Sequence, residues 1–197
     1  MKPVTLASAS ASRAALLHGA GVSFQVRAAG VDEDAVKASL LAEGAGPREV
    51  ADALAELKAV RASGRTEGLV IGADQTLDLD GALVDKAASL DEARERLKAL
   101  RGRPHKLHAG VVVAEDGQPI WREVKSATLW MRPFSDDFLE SYLLGEGDRL
   151  LGSVGCYQLE GRGVQLFERI EGDYFTILGL PLVGLLDLLR RHGALPA

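Results

Sequence analysis

The sequence predicts an α/β fold built on a mixed sheet with flanking helices. Three observations lead there. Apolar runs of strand length alternate with stretches whose apolar residues recur every three to four positions. Asp80-Gly81 and Asp116-Gly117 each separate two apolar segments as hairpin turns do, so some neighbouring strands run antiparallel. Capping and stop residues, such as Ser89 with Glu92 and then Gly102, punctuate the helical stretches.

Taken in order, residues 4–8 (VTLAS) read as a short buried strand. Ser8, Ser10 and Ser12 follow at once, and each is a good N-cap for the helix RAALLHGAG, which Gly19 or Gly21 stops. Residues 24–30 (FQVRAAG) read as a second strand that ends in an acidic loop, Val31-Asp32-Glu33-Asp34. Residues 47–63 form a helix that opens on Pro47 and stops at Gly64. Val50, Ala53, Leu54, Leu57 and Val60 make its apolar stripe, and Lys58 borders it.

Next, LVIGADQTLDLDG (69–81) is an apolar run that sets down Asp74 and Gln75 as it leaves the core, with GALVDKA as its hairpin return. Residues 89–102 carry a capping box and form a helix. HKLHAGVVVAED and QPIWREVKSATLWMRP read as two long strands. Residues 135–147 form a helix capped by Ser135, CYQLEGRGVQLFERIEGD reads as a glycine-punctuated hairpin, and 181–193 close as an amphipathic helix. No linker or repeat interrupts the chain, so residues 1–197 are expected to form one domain. The order is compatible with two lobes around a cleft.

The bulk numbers narrow the function. The 197 residues are 47% hydrophobic and 26% charged, an ordinary globular mix. The formal net charge is −5 with no basic stripe, which disfavours a nucleic-acid polymer as partner. Cys156 is the single cysteine, so neither a disulfide framework nor a cysteine-based zinc site is expected. No apolar run is long enough to span a membrane, and the start of the chain is too short and polar for a signal peptide. A cytoplasmic location is the expectation.

Candidate chemistry sits where polar residues are stranded at element ends. A helix start carrying Ser8, Ser10 and Arg13 suits a phosphate, although the serines could equally only cap the helix. Glu33 and Asp74 each follow a strand, and two such carboxylates can hold a divalent metal or a water. Lys58 and Lys86 could bind phosphate, or Lys58 could snorkel along its apolar stripe. Glu160 could hydrogen-bond a base edge or occupy an outer face. His105 and His108 point to opposite faces of a strand and are expected to be structural, as is Cys156.

These residues together resemble one family. LASASASRAALLHGAGVSF is similar to the LAS-x-S-x-x-R opening of the Maf family, VDED to its acidic loop and LKA to its helix lysine. VIGADQT resembles its strand end, DKA its lysine turn and LRGRPHKLHAG its SGR-x-H-x-V-x-TG segment. The block from GSVGCYQLEG to IEGDYFTILGLPL resembles its close. The resemblance spans nearly the whole chain in order.

That resemblance implies an inosine-triphosphatase-like fold with a deep cleft between two lobes, usually as a homodimer. It implies hydrolysis of nucleoside triphosphates between the α- and β-phosphates with a divalent cation, Mg²⁺, Mn²⁺ or Co²⁺. It also implies links to nucleotide-pool sanitation and septum formation. Asp74 matches the proton acceptor and Glu33 a catalytic or metal-associated acid, while Ser8, Arg13, Lys58 and Lys86 match the triphosphate-holding positions. Gln75 and Glu160 resemble the 7-methyl-GTP branch rather than the pyrimidine branch acting on dTTP and UTP. Position 12, here Ser12, bears on the same choice. The chain departs from the family pattern at Ala11, Ala14, Ala87 and Ser153. The alternatives are the same chemistry on pyrimidine triphosphates, or a nucleotide-binding division regulator whose hydrolysis is vestigial.

Overall fold

A computed structural model describes residues 1–196. The elements run β1 (Val4–Leu6), α1 (Ala11–Gly19), β2 (Gln25–Val26), α2 (Glu33–Ala42), α3 (Pro47–Ser63), β3 (Leu69–Leu79), β4 (Ala82–Val84) and α4 (Leu90–Leu100). The second half follows as β5 (Pro104–Glu115), β6 (Gln118–Met131), α5 (Asp136–Glu146), β7 (Phe167–Glu171), α6 (Tyr174–Ile177) and α7 (Leu182–Arg191). The sheet has the order β2-β1-β3-β5-β6-β7, with β4 paired to β3. β1 is parallel to both β2 and β3, and the remaining pairs are antiparallel, so the sheet is mixed as the sequence predicts.

The long strands tie two cores together. At one end, Val4, Leu6, Ile71, Val111 and Val113 pack under α1 and α7. At the other end, Leu77, Leu107 and Leu129 pack with Leu97 of α4 and Leu139 of α5. The strands bridge the gap between these cores, and the gap is the cleft. Both hairpin turns are as expected: Asp80 and Gly81, and then Asp116 and Gly117, all have positive φ, which a tight turn of this kind requires.

Four readings are corrected. The stretch 31–34 is not a loop: Asp32 caps α2 by accepting from the Ala35 N–H, and Glu33 is the first helical residue. The signal was there, an Asp cap followed by acidic residues in the first turn, but α2 has no fully buried residue and so no apolar stripe to advertise it. The second strand shrinks to Gln25–Val26, both exposed. The expected hairpin at 156–173 is a short 3-10 turn at Arg162–Leu166 followed by the single strand β7, which pairs with β6. On α3 the buried stripe is Val50, Ala51, Leu54, Ala55, Lys58, Ala59 and Ala62, rotated from the expected one, with Lys58 inside it and not at its border.

Candidate active site

β3 crosses the gap between the two cores, and its alternation sorts the site. Val70, Gly72, Asp74 and Thr76 face α3, while Ala73, Gln75 and Leu77 face the other way. Two glycines let α3 lie close to the sheet. A Cβ at Gly72 would collide with the Ala55 carbonyl and the Ala59 amide, and one at Gly110 would come within 2.7 Å of the Ala51 carbonyl oxygen. Thr76 Oγ1 donates to the Pro47 carbonyl at 2.8 Å and fixes the other end of the helix. This close packing brings Lys58 to Asp74.

The Lys58 ammonium donates to Asp74 Oδ1 at 2.7 Å and pairs with Glu33 Oε1 at 2.9 Å. Lys58 is 6% exposed and Asp74 8%, whereas the Glu33 side chain is 47% exposed at the cleft rim. Such buried charges persist only when paired. Asp74 Oδ2 has no protein partner among the described residues, so it is free to accept a hydrogen bond from water.

On the opposite face of β3 lies Arg13, also buried. Its Nε donates to the Gly179 carbonyl at 2.9 Å, and its Nη1 donates to Ser8 Oγ and to the Ala73 carbonyl, each at 3.0 Å. Burial lowers the Arg13 pKa, and the nearby Asp74 and Glu33 charges partly offset this. Arg13 therefore holds the 179 loop and the end of β3 together, and its Nη2 group is left for a ligand. Ser8 Oγ also accepts from the Ser10 N–H at 3.2 Å, and Ser10 caps α1. Beside them the Gln75 amide donates to the Thr176 and Ile177 carbonyls at 3.0 and 2.9 Å. Both of its N–H groups are thus engaged in holding α6.

The cleft between the cores has a volume of ≈ 1510 Å³. Ser8, Ser12, Arg13, Glu33, Lys58, Asp74, Gln75, Lys86 and Glu160 all line it, so the fold brings these candidates together. Lys86 and Glu160 are exposed on its walls. Ser153 also lines the cleft, and its Oγ accepts from the Tyr157 N–H and donates to the Tyr157 carbonyl, bracing that wall. Lys37 of α2 and Asp85 also line the cleft, and sequence reading missed both; the i, i+4 spacing of Glu33 and Lys37 was the available signal for Lys37, hidden with α2 itself.

The two histidines and the cysteine are structural, as expected. His105 Nε2 is 2.7 Å from Tyr157 Oη in a buried aromatic cluster, and burial pushes its pKa down to about 4. His108 lies between Ser126 Oγ at 2.7 Å and Asp78 Oδ2 at 3.2 Å, away from the cleft. Cys156 is buried, and that burial pushes its thiol pKa up.

Glu33 and Asp74 are the carboxylates a divalent metal would meet in the cleft. Among the described residues no three His, Cys, Asp or Glu side chains cluster in metal-site geometry. Glu33 and Asp74 nevertheless converge on one point, where the Lys58 ammonium stands in for a cation. One or two carboxylates completed by waters and substrate phosphates is the usual donor set for Mg²⁺ at a nucleotide, so the residues fit.

Fold and cleft together define an α/β protein with a carboxylate–ammonium–carboxylate cluster in a polar groove suited to a polyanion. The chain belongs to the Maf family: the family described as Maf-like protein matches residues 3–192. It is 66% identical over 195 residues to a nucleoside triphosphate pyrophosphatase of Caulobacter vibrioides, covering 99% of this chain and 98% of that protein. It is 55% identical over 191 residues to one of Granulibacter bethesdensis, covering 96% and 97% of the two chains. It is 49% identical over 199 residues to a 7-methyl-GTP pyrophosphatase of Rhizobium meliloti, covering the full length of both. A HAM1 protein of known structure from Coxiella burnetii shares 17% identity at a TM-score of 0.47, covering 68% of this chain and 75% of that one.

Proposed function

We propose that this protein hydrolyses nucleoside triphosphates between the α- and β-phosphates, releasing a nucleoside monophosphate and pyrophosphate. The observation that carries the reading is the Glu33–Lys58–Asp74 cluster, with one Asp74 oxygen held by Lys58 and the other open to the cleft. The names of the relatives at 66% and 55% identity support the same reaction.

In this mechanism Lys58 neutralises and orients Asp74. Asp74 Oδ2 accepts a proton from water as the water oxygen bonds to phosphorus and the α–β bridging bond breaks toward pyrophosphate. Arg13 Nη2, the Ser8 region at the start of α1 and Lys86 hold phosphate oxygens, which is how a chain of net charge −5 binds a polyanion. Glu33 and Asp74 would hold the divalent cation, Mg²⁺, Mn²⁺ or Co²⁺, which when bound neutralises phosphate charge and draws electron density from phosphorus.

We place the preference with modified purines such as 7-methyl-GTP. The exposed Glu160 carboxylate on the cleft wall suits a cationic methylated base, and a relative at 49% identity bears the 7-methyl-GTP name. Gln75 supports this less directly, since its N–H groups are committed to backbone carbonyls. The homodimer, the cytoplasmic location and the link to septum formation are part of the same proposal and rest on the family resemblance. No helix among the described residues is long and apolar enough to cross a membrane.

The test is pyrophosphate release from 7-methyl-GTP, UTP, dTTP, CTP and GTP, each with Mg²⁺, Mn²⁺ or Co²⁺. Turnover favouring 7-methyl-GTP supports the full reading. Pyrimidine turnover keeps the chemistry and removes the base assignment. Binding without release of pyrophosphate from any of the five leaves a regulator in place of an enzyme.

A further inference from the structure

We propose that Lys37 is a substrate cation, held in reserve by Asp85 and Asp34, that moves onto the pyrophosphoryl end of the bound triphosphate. This rests on the hydrolysis reading above and extends it to a residue outside the motifs.

The geometry begins with α2. Glu33 and Lys37 are four residues apart, so they share one face of that helix with Cβ atoms about 6 Å apart. Glu33 uses this face to reach Lys58 at 2.9 Å, and Lys37 therefore faces the cleft one turn further on. There its ammonium pairs with Asp34 Oδ1 at 2.8 Å and with Asp85 Oδ1 at 2.6 Å. Asp85 immediately precedes Lys86, which lines the same wall and has no ion pair among the described residues. Charges thus alternate along the cleft: Asp74, Lys58, Glu33, Lys37, Asp85, Lys86.

The present partners of Lys37 are easy to exchange. The Asp34 and Asp85 side chains are 93% and 59% exposed, while that of Lys37 is only 18% exposed. Ion pairs with such solvated carboxylates contribute little. A triphosphate brings several charges into a partly enclosed groove, where charge-assisted hydrogen bonds are stronger. Burial disfavours the Lys37 cation, but the hydrogen bonds and charges of Asp34 and Asp85 outweigh this, so it waits in its charged form. With Asp74 at the bond to be cut, the cations displaced from it along the groove, Lys37 and Lys86, meet the leaving pyrophosphate.

The experiment is titration calorimetry of inorganic pyrophosphate, with a nucleoside monophosphate as control, in one Mg²⁺ buffer. It compares the wild type with Lys37→Met, Lys37→Arg and Asp85→Asn, beside the KM for triphosphate. Lys37→Met is expected to weaken pyrophosphate binding about ten-fold and leave the monophosphate unaffected, and Lys37→Arg to restore most of the loss. Asp85→Asn is expected to tighten pyrophosphate binding, because it releases Lys37. Unchanged pyrophosphate affinity in Lys37→Met overturns the proposal, as does a wild type that binds no pyrophosphate. Asp85→Asn weakening binding as much as Lys37→Met also overturns it, since the pair would then be a strut between the cleft walls. If the wild type releases no pyrophosphate from any triphosphate while Lys37→Met still weakens pyrophosphate binding, the hydrolysis reading falls and this one stands.

Discussion

Lys58 Nζ lies 2.7 Å from Asp74 Oδ1, and the pair is placed by the contact of α3 with β3 at Gly72. Removing the cation leaves a largely buried carboxylate without its partner. Lys58→Met is expected to lower stability by about 2–3 kcal/mol and turnover by about a hundred-fold or more. Lys58→Met combined with Asp74→Leu should recover most of the stability and none of the turnover. Chemical denaturation and pyrophosphate release on the same preparations check both halves.

The helix contact itself is testable. Gly72→Ala forces a methyl group into the backbone of α3 at Ala55 and Ala59. The cost is expected to be about 1–3 kcal/mol, and turnover should fall with it because Lys58 moves away from Asp74. Wild-type stability and activity in this variant would show that the close approach does not set the site.

Gln75 and Glu160 should separate. Gln75→Glu sets a carboxylate against the Thr176 and Ile177 carbonyls in place of two N–H donors, and a loss of about 2 kcal/mol is expected. Glu160→Ala is expected to leave the melting temperature within a degree or two while lowering the preference for 7-methyl-GTP over pyrimidine triphosphates. A substrate ranking that follows Gln75 and ignores Glu160 would reverse the assignment.

His105 makes stability depend on pH. Its pKa is about 4 in the folded chain against 6.5 ordinarily, because burial penalises the charged ring. Between these values the unfolded chain binds more protons than the folded one, so stability rises with pH across the window. The His105 contribution is complete above about pH 6.5 and is lost as pH falls toward 4. His105→Phe is expected to flatten this dependence, although it lowers stability at neutral pH by leaving Tyr157 Oη unpartnered. Urea midpoints at pH 5, 6 and 7.5 measure the slope.

Strong local chemistry made most of the fold legible in the sequence. Pro47 and Gly64 bound α3 to the residue, and Asp80-Gly81 and Asp116-Gly117 set their hairpins. The failures share a cause, the absence of a clear burial period. α2 buries no residue fully, and the segment from Cys156 to Asp173 is held by side-chain braces such as Ser153 on Tyr157 and Arg132 on Gln165. Local pattern does not show such contacts. The site was legible as a set of residues through the motifs that carry the resemblance and not through position: Lys58 lies inside α3, and Asp74 and Gln75 lie in the middle of β3, not past its end as the sequence suggests. Its internal geometry was not: Asp74 and Gln75 are neighbours in sequence but face opposite sides of β3, one toward Lys58 and the other toward α6. Lys58 read as bordering the apolar stripe because small alanines, with Val60 only partly buried beside them, fill the contact with the sheet.

The central claim is that Asp74 takes the proton from the attacking water. Pyrophosphate release by Asp74→Asn, measured beside its affinity for a triphosphate, tests this most directly. The expected result is a fall in turnover of about a thousand-fold or more with affinity changed by less than about ten-fold, because the amide keeps the shape and cannot accept the proton. Turnover near the wild-type rate with affinity intact would contradict the claim and assign the base to another group in the cleft.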